Sequence, residues 1–281
     1  MKVVVTGVQG QLGYDLAKQL VAGNHEVFAT GRNELDITDE VAVHAFIEEV
    51  KPDAIIHSAA YTNVDKAEED EETAYKVNAL GAKYLAQAAA KVGAKLVYVS
   101  TDYVFNGTAT EPYEPEQETD PLGVYGKTKL AGEEFVQQSL NEFFIVRTAW
   151  VYGINGHNFV KTMLRLGEER GEVGVVADQV GSPTYTVDLA AFIIELVQSE
   201  KYGIYHASNE GVCSWYEFAE EIFKQAGMNV KVNPLTTDQF PRPAARPSYS
   251  VLSKKKNVEQ GLTPLRDWKE ALSAYLVELN G

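Results

Sequence analysis

Apolar and polar positions along this chain alternate between two spacings. Val3 to Val5 form a short apolar run, and from Tyr14 to Val21 apolar residues recur at helical spacing. "HEVFAT" is the next strand candidate and "VAVHAFIEEV" the next helix. "DAIIHSAA" predicts a buried strand, and "AYKVNALGAKYLAQAAAKVG" a long Ala-rich helix closing at Gly93. "KLVYVSTDYVF" predicts a strand running out into a loop, "GKTKLAGEEFVQQS" a helix, and "FFIVRTAWVYG" another strand. The strands are apolar at successive positions, so both their faces are buried. Strands of that kind alternating with helices predict an α/β fold, a parallel sheet covered on both sides.

Beyond about residue 150 the rhythm loosens. Helices are predicted near "FVKTMLRLGEER" and "TVDLAAFIIELVQ", strands near "EVGVVADQ" and "GIYHAS", and the Pro-rich "FPRPAARPSYS" reads as loop. The expected organisation is a nucleotide-binding domain over 1–150, its sheet completed by parts of 170–205. Residues 151–281 would form mostly a smaller, interleaved α/β substrate-binding lobe.

Gly7, Gly10 and Gly13 make G-x-x-G-x-x-G directly after a strand and before a helix. Glycine lets the backbone turn tightly and approach a pyrophosphate, whose charge meets the free amides of the helix N-terminus. This predicts a Rossmann-type, doubly wound NAD(P) site. The end of the second strand should meet the adenosine ribose, and "FATGR" offers Arg32 and no acid there. A basic residue suits a 2′-phosphate and so points to NADPH, with NADH left open.

Two Tyr/Lys pairs have i, i+4 spacing: Tyr14 with Lys18, and Tyr125 with Lys129. Spacing alone does not choose between them. The glycine turn puts the first pair inside the first helix, as scaffold or surface. Tyr125 starts a helix downstream of a strand ending in Ser100, Thr101 and Asp102. A parallel sheet places ligands beyond the carboxyl ends of its strands. Thr101, Tyr125 and Lys129 therefore form a workable proton-transfer set, in which the lysine ammonium would favour an ionised phenol and could hold a cofactor ribose.

The net charge of −15 disfavours nucleic acid and anionic membranes, so a phosphate site has to be local. No apolar run is long enough to span a bilayer, and the N-terminal residues show no signal-peptide pattern. The single cysteine, Cys213, fits a reducing cytoplasm. Scattered histidines without HExxH or CxxC give no zinc site.

Together "TGVQGQLG", "STD" and "YGKTK" resemble the extended short-chain dehydrogenase/reductase family, which acts mainly on nucleotide sugars. The finer motifs "HSAAYTNVDKAE", "STDYVFNG", "VYGKTKLAGE", "RTAWVYG", "NFVKTMLRL", "DQVGSPTY" and "ARP" are similar to its 4-keto-sugar reductases along the whole chain. The resemblance implies NAD(P)H-dependent reduction of the 4-keto group of dTDP-4-dehydro-L-rhamnose to dTDP-L-rhamnose, for cell-surface polysaccharide. It makes Thr101, Tyr125 and Lys129 the catalytic set, with Tyr125 as proton donor. It implies that Gly10, Gln11 and Leu12 contact the pyrophosphate, that Asp36 and Ile37 lie near the adenine, and that Ala59, Ala60, Tyr61 and Thr62 line the ribose side. Thr101, Asp102 and Trp150 would contact the sugar, and Arg246 the dTDP diphosphate. Some members dimerise through a glutamate-held metal. Those ligands do not map onto this chain, so Mg²⁺ and a homodimer are left open. A dehydratase or epimerase of the same family, or a non-catalytic NADP-binding regulatory subunit, are the competing readings. Tyr103 stands where a dehydratase would need a second acid after Asp102.

Overall fold

A computed structural model describes residues 1–281. β1 (Lys2–Thr6) passes through the glycine turn into α1 (Gln11–Ala22), and β2 (Glu26–Thr30) returns alongside β1. α2 (Glu40–Val50) begins at Asp39, whose side chain accepts from the Ala42 amide and satisfies one free N–H of the first turn. β3 (Ala54–His57) then lies on the other side of β1. The short α3 (Val64–Ala67) and α4 (Glu71–Tyr75) run into a π-helical turn at Lys76–Leu80 and on into α5 (Gly81–Val92). β4 (Lys95–Thr101), α6 (Val124–Ser139) and β5 (Phe143–Thr148) follow.

The long Ala-rich helix is thus broken by a π turn, which periodicity cannot reveal. Asn78, fully buried in that turn, uses its amide to hold the loop after β3 and the Thr128 hydroxyl on α6. Such turns often mark functional positions. Gly93 closes α5 at φ +73°, a left-handed conformation that glycine adopts without strain.

The rest of the chain supplies β6 (Val151–Tyr152), α7 (Phe159–Arg170), β7 (Glu172–Val176), β8 (Val180–Gly181) and β9 (Thr184–Tyr185). These are followed by α8 (Thr186–Val197), β10 (Gly203–His206), β11 (Cys213–Ser214), α9 (Trp215–Gln225) and β12 (Lys231–Leu235). α10 (Lys255–Glu259) and α11 (Trp268–Asn280) end the fold.

Six strands form one parallel sheet in the order β10-β5-β4-β3-β1-β2. The chain reverses its direction of growth between β1 and β3, and such a switch point opens a crevice at the strand carboxyl ends. One face of the sheet packs Leu12, Leu16 and Leu20 of α1 with Leu189, Ile193 and Leu196 of α8. The other packs Val43 and Ile47 of α2 with Leu85, Ala86 and Ala89 of α5. The late chain therefore returns to the sheet, through α8 on its face and β10 on its edge. The strand read near 172–179 does not join the sheet, because β7 pairs with β12 instead. A third core gathers Val160, Met163, Val173, Phe218, Ile222 and Tyr275 from α7, β7, α9 and α11.

Candidate active site

The glycine turn sits at the switch point and is packed too tightly for side chains. A Cβ on Gly7, which stands at φ +77°, would lie 2.6 Å from the Ala59 nitrogen after β3. One on Gly13 would lie 2.3 Å from the Gly7 carbonyl oxygen. These contacts press helix, turn and β3 together, while Gly10 stays exposed. No side chain caps α1 at Gly10, so its first-turn amides face the crevice without an internal anion. This cradle fits a pyrophosphate. The Gln11 side chain points elsewhere: its Oε1 accepts from the Gly153 amide at 2.9 Å and from Asn158 Nδ2 at 3.0 Å. It ties the turn to the segment leading into α7.

Around the expected ribose and adenine positions, Arg32 is exposed just past β2 and its charge favours the ionised Asp36. Asp36 is held low chiefly by hydrogen bonds from Thr38, whose amide and hydroxyl both donate to Oδ1. Ile37 is buried against Gly81. After β3, Ala59 lies over Gly7 and Ala60 is half-buried. The Tyr61 amide donates to Asn78 Oδ1 at 2.8 Å, and Thr62 is exposed.

Thr101 ends β4 and caps the short turn Asp102–Val104, its Oγ1 accepting from the Tyr103 amide at 3.2 Å. Oγ1 also donates to Asp102 Oδ1 at 2.9 Å. Tyr125 and Lys129 occupy one face of α6. Burial pushes the Tyr125 phenol up to about 12, opposed by hydrogen bonding with Thr101 and assisted by the Asp102 charge. The Tyr103 ring meets Tyr125 edge-on at 5.5 Å. Burial pushes the Lys129 amine down to about 7, against the pull of Glu133. Its Nζ donates to the Val99 carbonyl at 2.7 Å and lies 4.1 Å from the Tyr98 ring centre. The expectation of a phenol acidified by the lysine is reversed in this geometry. Desolvation dominates, and the phenol is firmly neutral, as a proton donor has to be.

The sequence reading missed what holds α6 in place. Arg147 on β5 and Glu133 on α6 form a buried two-pronged ion pair, at 2.9 and 2.7 Å, and the Ser100 hydroxyl donates to the same carboxylate. Such a pair fixes geometry because neither charge can leave its partner cheaply. His57 lies in the core beneath Lys129, its Nδ1 2.8 Å from Thr6 Oγ1. Burial, with the lysine charge second, pushes this imidazole down to about 3. An acid and a base fourteen residues apart carried no local signal. Asn78 did carry one, as an asparagine inside an otherwise Ala-rich helix.

On the other side of the crevice, Trp150 has φ +50°, a strained conformation for a bulky residue. Its indole stacks on Trp215 of α9 at 3.6 Å between ring centres, with Gly181 against its edge. Arg246 reaches the Asp65 carboxylate at 2.9 Å and lies 6.0 Å from the Tyr103 ring centre. Asp102, Trp150 and Arg246 therefore come from three separate segments. Tyr14, by contrast, is exposed and Lys18 pairs with Glu278 at 3.5 Å, away from this constellation. No group of three or more His, Cys, Asp or Glu residues is arranged to hold a metal, and Cys213 is a buried free thiol.

A parallel sheet with a glycine cradle at its switch point, a threonine closing β4, and a Tyr and Lys pair on one face of α6 define a Rossmann-fold short-chain dehydrogenase/reductase. The family described as "RmlD substrate binding domain" matches residues 1–280, and the chain belongs to it. It is 48% identical to dTDP-4-dehydrorhamnose reductase of Mycolicibacterium smegmatis, over 100% of this chain and 86% of that protein. The solved dTDP-4-dehydrorhamnose reductase of Clostridium acetobutylicum superimposes with a TM-score of 0.98 at 50% identity, covering 100% of both chains. That of Bacillus anthracis, solved in complex with NADP, gives 0.97 at 47% identity, covering 99% of this chain and 100% of the other.

Proposed function

We propose that this protein reduces the 4-keto group of dTDP-4-dehydro-L-rhamnose to give dTDP-L-rhamnose, with NADPH as the reductant. The observation that carries the reading is that Thr101 closes β4 while Tyr125 and Lys129 share one face of α6, which Lys129 ties to β4 through the Val99 carbonyl. The chain's kinship to reductases named for that substrate supports it.

Gly7, Gly10 and Gly13, with the amides of Gln11 and Leu12, would hold the cofactor pyrophosphate, and Arg32 its 2′-phosphate. The cofactor supplies hydride when bound. The protein's own work is to hold the C4 oxygen near the Tyr125 hydroxyl, which keeps its proton until charge develops on that oxygen. Thr101 orients the phenol. Lys129 would leave the Val99 carbonyl for a ribose hydroxyl and regain its full charge there. Trp150 walls the sugar site, and Arg246 exchanges Asp65 for the diphosphate, whose oxygens match the guanidinium fork.

A dehydratase must also move a proton at carbon, and Tyr103 is a poor base for that. Burial, then the Asp102 charge, pushes its phenol far above the ordinary value. The test is NADPH oxidation against dTDP-4-dehydrorhamnose. One NADPH consumed per keto sugar is expected. Formation of a 4-keto-6-deoxy product from dTDP-glucose with catalytic NAD⁺ would overturn the reading.

A further inference from the structure

Residues 153–158, between β6 and α7, lie against the carbonyl side of the glycine turn and bond to it from three positions. Asn155 Nδ2 donates to the Gln9 carbonyl at 2.8 Å and to the Gly10 carbonyl at 3.3 Å. The Gly153 amide and Asn158 Nδ2 both donate to Gln11 Oε1. Asn158 is also the N-cap of α7, its Oδ1 accepting from the Lys161 amide at 3.0 Å. Its Nδ2 further reaches the Gly153 carbonyl at 2.8 Å and the Tyr275 hydroxyl of α11 at 3.3 Å. Lys161 Nζ holds the middle of the segment, donating to the carbonyls of Ile154 at 2.6 Å and Gly156 at 3.0 Å. At its start the segment is wedged against α8, where a Cβ on Gly153 would lie 2.0 Å from Thr186 Oγ1. It is therefore fixed from outside the turn it touches, by α8 and by the two helices, α7 and α11, that share the third core.

We propose that Asn155 and Asn158 are positioning residues for the cofactor pyrophosphate, acting through the Gly10 carbonyl and the Gln11 side chain. This rests on the dinucleotide site in the functional reading above and deepens it. In a trans peptide the carbonyl and the amide that follows point opposite ways in one plane. A donor held on the Gly10 carbonyl therefore fixes the direction of the Gln11 N–H, one of the amides offered to the pyrophosphate. Gly10 needs such a tether, because it is exposed and has neither a side chain to anchor it nor the backbone stiffness of other residues. Within the turn its amide donates to the Gly7 carbonyl at 2.9 Å, and its carbonyl takes a long helical bond from the Tyr14 amide at 3.3 Å. Asn155 adds the hold from outside. Gln11 is held one residue on: with both donors on Oε1, its side chain is drawn towards α7 while its amide stays free of any side-chain cap. A site made of backbone amides binds an anion best when they are already aimed, since ordering them on binding subtracts from affinity. In a chain of net charge −15 that preparation matters more, because the global field opposes the anion.

The experiment measures ligand affinity by calorimetry, and melting temperature, for wild type, Asn155→Ala and Asn158→Ser. Serine keeps the cap on α7 but is too short to reach Gln11. The ligands are NADPH, NADH and adenosine 2′-monophosphate, which has the 2′-phosphate but no pyrophosphate. Each variant should bind NADPH and NADH about three- to tenfold more weakly, the usual contribution of one hydrogen bond. Equal losses for the two dinucleotides separate this effect from that of Arg32, which is selective for NADPH. Adenosine 2′-monophosphate should bind within about twofold of wild type, and melting temperature should stay within about 3 °C. Unchanged dinucleotide affinity in both variants overturns the inference, and so does an equal loss for all three ligands, which is a general loosening of the site. A loss confined to one variant overturns it too: at Asn155 alone it marks a direct phosphate contact, and at Asn158 alone a disturbance of α7. Should Asn158→Ser not fold, Gln11→Met removes the acceptor instead, leaves α7 its cap, and carries the same expectations. A wild type that binds neither dinucleotide overturns the cofactor site itself. One that binds them but leaves the keto sugar unreduced overturns the substrate reading alone. Both differ from failure of the tether, which leaves wild-type binding and turnover intact.

Discussion

Tyr125 and Tyr14 are a natural pair of controls, each followed by a lysine one turn on. Tyr125→Phe removes only a hydroxyl, so NADPH affinity and melting temperature should hold while kcat falls by about 10²–10⁴-fold. Tyr14→Phe should leave kcat unchanged, since that ring is on the outer face of α1. Near-full turnover by Tyr125→Phe at saturating substrate would remove it as the donor. Arg32 is a second single-residue case. It is exposed, and after the Thr38 hydrogen bonds its charge adds a small further pull on the ionised Asp36. Arg32→Ala should weaken NADPH binding by roughly tenfold or more, the worth of a charge-assisted hydrogen bond, and leave NADH binding nearly alone. Equal losses for the two cofactors in parallel titrations would take Arg32 out of the site.

At the scale of elements, the site depends on two close approaches. The first is α1 against β3 through the glycine turn. Gly13→Ala would drive a methyl carbon to 2.3 Å from the Gly7 carbonyl oxygen, with Gly7 itself wedged against Ala59. Backbone has to move, so the variant should lose cofactor binding by calorimetry while retaining the far-ultraviolet spectrum of the fold. The second is α6 against β4 and β5 through Glu133 and Arg147. Glu133→Gln leaves a buried guanidinium with half its partner, and unfolding free energy should drop by about 3–5 kcal/mol in denaturant titration. Replacing both residues together by apolar ones of similar volume should cost far less, because no charge is then stranded. A double variant as unstable as the single would show that the pair's packing, not its charge, holds α6.

For the molecule as a whole, acid stability follows from its buried ionisable groups. His57 and His206 are both buried, and burial pushes each down to about 3 from the ordinary 6.5. Below about 6.5 the unfolded chain takes up protons that the folded imidazoles refuse. Stability is therefore lost as pH falls from about 6.5 towards 3, by up to about 1.4 kcal/mol per pH unit for each histidine. Asp102 works in the opposite direction. Its folded value of about 6 exceeds the ordinary 3.8, so between those values it gains stability as pH falls. Two imidazoles outweigh one carboxyl, and melting temperature should decline steadily below about pH 6. His206→Gln should flatten that decline if the variant folds with wild-type stability near pH 7. An unchanged slope would place the acid sensitivity elsewhere.

The apolar runs and their punctuation determined the parallel sheet, its covering helices and the glycine turn, because each is a local pattern whose burial has one solution. The Tyr125 and Lys129 pair was legible for the same reason: helical spacing plus a strand end predicts where the side chains emerge. The tertiary structure alone decided three other matters. β7 was taken from the sheet by β12, since an apolar strand does not encode its partner. The Ala-rich helix was bent into a π turn so that Asn78 could satisfy the loop after β3 and Thr128 at once. The ionisation of the site was set by enclosure. A lysine beside a tyrosine suggests an acidified phenol, yet desolvation acts on both groups, raising the phenol and lowering the amine. Electrostatic free energy depends on how much water the whole fold removes from around a charge, and that quantity is written in no short stretch of sequence.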